Sequence, residues 1–150
     1  MSREMEIRQL RRRSTLLIVS IAGAAALTRL FLFLIPTVGG SKVLGVHVHH
    51  LLVGIIVACI GGVPAVLLRS EDFLKSAAVC VFGIGLGLAL DEWLLLVIRD
   101  AAPDTPYMSA SSLAGALLLV ALVCVYTVLV SRFLSKREER AKISKDRQDR

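Results

Sequence analysis

Cysteine, aromatic side chains and internal repetition are scarce or missing in this 150-residue chain. Its three cysteines, Cys59, Cys80 and Cys124, each lie inside an apolar run and form no CxxC spacing. A disulfide framework is therefore not expected, and the thiols read as small hydrophobes. No repeat or low-complexity tract divides the chain, whose length fits a single domain. Aromatic residues make up 5% of the total, and Trp93 and Tyr107 stand where generic interfacial anchors would. Charge is missing from long stretches of the middle, which excludes a water-soluble fold, because such a fold needs charge on its surface.

Hydrophobic residues are abundant, at 55% of the chain, with a mean hydropathy of +0.71. They gather into four runs, about Ser14–Ile35, Val43–Leu68, Phe73–Ile98 and Met108–Leu134. Each reaches the roughly 20 residues that a helix needs to cross about 30 Å of hydrocarbon. Lipid offers no partner for backbone polar groups, so these spans should be helical. The connections between them are short, which makes neighbours antiparallel and predicts an all-α, polytopic transmembrane four-helix bundle.

The formal charge of +6 invites a nucleic-acid reading, but its distribution speaks for topology instead. Arg3, Arg8 and Arg11–Arg13 precede the first span, Arg69 and Lys75 flank the second connection, and eight basic residues run from Arg132 to Arg150. Only Lys42 and Arg99 fall on the opposite side. Basic flanks stay cytoplasmic during insertion, so the expected protein is a multi-pass cell-membrane protein with both termini inside (N-in/C-in). Residues 1–13 form a basic cytoplasmic segment, 14–134 the transmembrane domain and 135–150 a charged cytoplasmic tail, frayed or helical. The expected partners are the bilayer, with a weak attraction to anionic lipid, and further copies of the chain or a larger membrane complex; no nucleic acid is expected. Arg11–Arg13, an apolar run and Ala24-Ala25-Ala26 also resemble a cleavable signal peptide, but hydrophobicity resumes through Leu30–Ile35 and favours a retained span.

Punctuation between the spans is clear. Pro36–Gly40 predicts an outer turn, Arg69–Asp72 a tight inner turn, and Arg99–Pro106 a longer outer loop. Ser109, Ser111 and Ser112 are placed to cap or pack the fourth helix. Gly83, Gly85 and Gly87 imitate a nucleotide-binding loop, but they sit in mid-span with no strand before them, so close helix packing is the better reading.

Away from the cytoplasmic ends of the runs, the apolar stretches are interrupted by Arg29, Asp91, Glu92 and all three histidines, His47, His49 and His50. A charge near the bilayer centre costs roughly 2.5–3.5 kcal/mol on insertion scales, so these residues should be paired or functional. Counting from the turn near Glu71 brings His50 and Asp91 to one level. Arg29 before Pro36, and Asp91 before Ile98, should both lie about 10 Å below the outer ends of their helices. At 100° per residue, His47 and His50 share a stripe with Gly54, Ala58, Gly61 and Ala65. Asp91 follows Ser76, Cys80, Gly83 and Gly87, and Arg29 shares a side with Ala22, Ala25 and Ala26. Small residues mark close helix contact, so all three stripes should face inward. Glu92 lies about 100° round from Asp91, facing inward or toward a neighbouring helix or subunit.

Such a cluster in the outer half suits a single transition-metal ion, Zn, Fe, Mn or Cu, held by His47, His50, Asp91 and Glu92, with His49 as a further ligand. Arg29 would anchor an anion or neutralise a carboxylate. If the site is catalytic, Asp91 or Glu92 would act as base or ligand while metal-activated water or oxygen attacks a lipid-soluble substrate. The alternative is a non-catalytic assembly or scaffold subunit whose Arg29 pairs with Asp91 or Glu92 in a structural network. A proton or solute pathway is disfavoured, because the inner half of each span carries almost no polar group. The stretch Val46–Ile55, followed by Gly83–Leu90 and Asp91-Glu92, resembles a group of uncharacterised small bacterial integral membrane proteins that pair an HxHH span start with a Gly-rich span ending in Asp-Glu. The resemblance implies that these residues act as a unit and carries no activity with it.

Overall fold

The computed structural model describes residues 3–35, 42–43, 46–47, 50–68, 73–101 and 109–148. Four helices account for nearly all of them: α1 (Arg3–Leu34), α2 (His50–Leu67), α3 (Phe73–Ala101) and α4 (Ala110–Gln148). Between α1 and α2 a two-residue strand pair, β1 (Lys42–Val43) and β2 (Val46–His47), runs antiparallel with Lys42 opposite His47. Each helix holds a segment long and apolar enough to cross a bilayer: Ile7–Leu34, His50–Leu67, Phe73–Trp93 and Ala110–Ala141. The all-α transmembrane four-helix fold expected from hydropathy is the fold observed.

Boundaries differ in instructive ways. The second helix starts at His50 rather than Val43. The β-branched Val43 and Val46 flank Gly45, a composition that helices disfavour and extended pairing tolerates. At the other ends the helices overrun the apolar spans. α3 continues through Arg99 to Ala101, and α4 carries the charged tail as helix to Gln148, as its Lys, Arg and Glu content allows. The expected turns at Pro36–Gly40 and Arg69–Asp72, and the loop residues 102–106, lie outside the described residues, as does Tyr107.

Glycine fixes how closely the helices approach. A Cβ added at Gly54 would stand 2.6 Å from the Ala89 backbone nitrogen and 2.7 Å from the Gly85 carbonyl oxygen. One added at Gly61 would strike the backbone of Ala78 and Phe82, and one at Gly85 the backbone of Ala58. α2 and α3 therefore touch backbone to backbone, and residue numbers fall along one helix as they rise along the other, so the two are antiparallel. Two residues round the helix, Gly83 and Gly87 face α1 instead: their added Cβ atoms would lie 2.7 Å from Ser20 Cβ and 2.9 Å from Ala24 Cβ. Numbers rise together along that contact, so α1 and α3 are parallel. α3 is thus the central helix, with α2 against one flank and α1 and α4 against the other and against each other.

The packed side of α1 is Ile21, Ala25, Arg29 and Leu32, all buried. Ala25 was expected there, but Ala22 and Ala26 are exposed. The notch cut by Gly83 and Gly87 on α3 receives Leu17, Ser20, Ala24 and the Ile21 backbone of α1, and Ile21 itself is fully buried on this side of α1, where an alanine stripe had been expected. Large apolar side chains such as Phe33, Val66, Leu67 and Phe73 point outward. Small and polar groups inside with bulky hydrophobes outside is the arrangement a lipid solvent favours.

Candidate functional site

Ionisable residues reach the interior from two helices near the end of the bundle opposite the termini. Arg29 lies on the last turns of the apolar part of α1, one helical step beyond Ala25 on the buried face. Asp91 continues the Gly83–Gly87 row of α3, and that row faces α1, so the two side chains meet where the helices already touch. Arg29 Nε donates to Asp91 Oδ1 at 2.5 Å. Its Nη2 donates to the Asp91 carbonyl oxygen at 3.0 Å and to Ser112 Oγ at 3.2 Å. One guanidinium therefore joins α1, α3 and α4. All three side chains are buried, Asp91 and Ser112 to 1% exposure.

Glu92, the neighbouring carboxylate, turns the other way. Its Oε2 accepts a 2.6 Å hydrogen bond from the Leu51 backbone N–H, in the first turn of α2. The first N–H groups of a helix have no intrahelical acceptor, and the helix dipole leaves partial positive charge there. A buried carboxylate from α3 answers both needs. Adjacent acids about 100° apart are thus assigned to opposite flanks of α3, Asp91 to α1 and Glu92 to α2.

The start of α4 is also built by side chains. Ser109 Oγ accepts from the Ser112 N–H at 3.2 Å, an N-cap geometry, and Ser111 Oγ lies 3.2 Å from Ser109 Oγ. The expectation that these serines cap or pack the fourth helix is met, Ser109 by capping and Ser112 by burial. Ser112 as a partner of Arg29 was not foreseen. Its place near the start of the fourth span, level with Arg29, was the available signal. Ser112 Oγ thus serves as an acceptor for the buried cation.

The histidines are distributed differently from the expectation. His50 opens α2, partly buried and next to the Leu51–Glu92 contact. His47 belongs to β2, so the helical i, i+3 relation supposed between it and His50 does not hold. His49 and the side chain of His47 lie outside the described residues. Among the described residues no group of three or more His, Cys, Asp and Glu side chains is disposed to hold a metal ion. Trp93, expected at the interface, is half exposed. No family model, curated protein or solved structure matches the chain.

Proposed function

We propose that this integral membrane protein is a non-catalytic assembly or scaffold subunit, and that its polar cluster serves to lock the helices in register. It would sit in the cell membrane with both termini in the cytoplasm. The observation that supports this best is the use of the Arg29 guanidinium, whose hydrogen bonds go to α3 and α4. Buried ion pairs are poor sources of net stability but strong enforcers of one arrangement, because separating the partners strands a charge in hydrocarbon. Glu92 acts in the same sense, tying the start of α2 to α3.

Thermal unfolding in detergent tests the lock. Arg29→Ala leaves Asp91 buried without its cation and should cost about 3–5 kcal/mol, while Arg29→Ala combined with Asp91→Ala should recover part of that loss. The assembly role is read separately, from the size of the particle extracted from native membranes with a mild detergent, which should exceed a single 16.2 kDa chain in its micelle. Wild-type stability in Arg29→Ala would remove the lock, and migration as a lone chain would remove the assembly role.

A metal-dependent reading has one observation in its favour: Glu92 lies against the turn that begins with His50. In that reading His50 and Glu92, joined by His47 and His49, hold one Zn, Fe, Mn or Cu ion and act on a lipid-soluble substrate. Elemental analysis of freshly purified protein then finds near-stoichiometric metal, lost when the three histidines are replaced by alanine. Metal-free wild-type protein would end it.

A further inference from the structure

A second polar feature lies at the opposite end of the bundle. Between α1 and α4, where both helices leave their apolar segments, runs a cavity of about 610 Å³. Among the described residues, Arg11, Arg132 and Lys136 bring three cations to it, against the single carboxylate of Glu139. Ile18 and Val128 also line it, about two helical turns deeper than Arg11 and one turn deeper than Arg132. The cavity therefore grades from basic to apolar along the helix axes, as a membrane does from headgroup to acyl chain.

Two hydroxyls on its wall are already committed, since Ser14 donates to the Leu10 carbonyl and Thr15 to the Arg11 carbonyl. Ser131 and Ser135 also line the cavity and have no hydrogen-bond partner among the described residues. Ser135 is only 5% exposed and lies on the cavity wall. An acceptor-rich anion in the cavity would take both hydroxyl donors together with the guanidinium forks of Arg11 and Arg132. Arg and hydroxyl donors converging on one point are the usual recognition set for phosphate.

We propose that this cavity binds the phosphate of an anionic glycerophospholipid, with the headgroup among Arg11, Arg132, Lys136 and Ser135 and an acyl chain running down past Ile18 and Val128. A lipid is favoured over a free phosphate because the apolar end of the cavity gives a phosphate ion nothing to bind, whereas an acyl chain fills it. Such a site would hold α1 against α4 at the end where the Arg29 contact does not reach.

The test uses the full chain, purified in neutral detergent and passed into mixed micelles of phosphatidylglycerol and phosphatidylcholine, with retained lipid counted by native mass spectrometry. Wild type should retain phosphatidylglycerol over phosphatidylcholine by about tenfold or more. Arg132→Gln with Lys136→Gln should lose that preference, and Ser135→Ala should weaken it. Arg137→Gln with Arg140→Gln removes the same charge outside the cavity, where Arg137 stacks on Phe133, and should retain the preference. Equal loss in both double variants would reduce the effect to general basicity and overturn the site. Displacement of the lipid by an equal concentration of inorganic phosphate would overturn the lipid assignment.

Discussion

An arginine in hydrocarbon must find acceptors for a planar fork of N–H groups, and Arg29 finds them on two other helices. Lysine has one compact ammonium and cannot reproduce that fork, so Arg29→Lys should keep the charge yet lose about 1–3 kcal/mol of stability. Equal melting temperatures for Arg29→Lys and wild type would show that charge alone matters. Glu92 calls for the complementary change: Glu92→Gln keeps an oxygen for Leu51 N–H but removes the negative charge from the start of α2. The expected loss is about 0.3–2 kcal/mol, seen as faster hydrogen exchange confined to the first turn of α2. At this scale the sequence was only partly legible. The level of Arg29 and Asp91 followed from counting residues to the turns, because helical rise is constant. The Glu92 contact could not follow from counting, because its partner is a backbone N–H that exists as a free donor only where α2 happens to begin.

Elements meet here through absent side chains. Gly54, Gly61 and Gly85 let α2 and α3 approach until their backbones touch, and any Cβ must push them apart. Gly85→Ala and Gly61→Ala should each cost about 1–3 kcal/mol, as overpacking does, with Gly85 affecting the hairpin and not the α1 contact. Two other glycines serve as controls. An added Cβ on Gly62 would meet only the Phe82 ring, at 3.1 Å, and one on Gly23 would meet nothing within 4 Å. Gly23→Ala should therefore stabilise α1 by about 0.4–1 kcal/mol, since it removes backbone freedom without a clash. Thermal unfolding of the four variants in one detergent checks the order, and Gly23→Ala ranking below Gly85→Ala would contradict the packing. The small-residue stripes of α2 and α3 were readable beforehand because glycine every third or fourth position has little other use in a span. The α1 face was misjudged because alanine is at home both in a contact and facing lipid, so Ala22 and Ala26 carried no directional information.

On the scale of the whole molecule, four crossings and the α1–α4 contact bring both termini to one end of the bundle, the end of the basic cavity. Which side of the membrane that end faces is decided by insertion energetics: arginines ahead of α1 and the basic residues of late α4 resist translocation, whereas residues 102–108 contain no basic residue at all. We expect the termini in the cytoplasm. In a variant with the three native cysteines replaced by serine, single cysteines at Ser2→Cys, Thr105→Cys and Ser144→Cys report each end to a membrane-impermeant maleimide. Thr105→Cys should label in intact cells, and Ser2→Cys and Ser144→Cys only after the membrane is opened. The two possible failures mean different things. If all three patterns reverse, the bundle stands and the charge rule has been overridden. If Ser2→Cys and Ser144→Cys label from opposite sides, an odd number of crossings is required, and the contact between the start of α1 and the end of α4 cannot exist in the membrane.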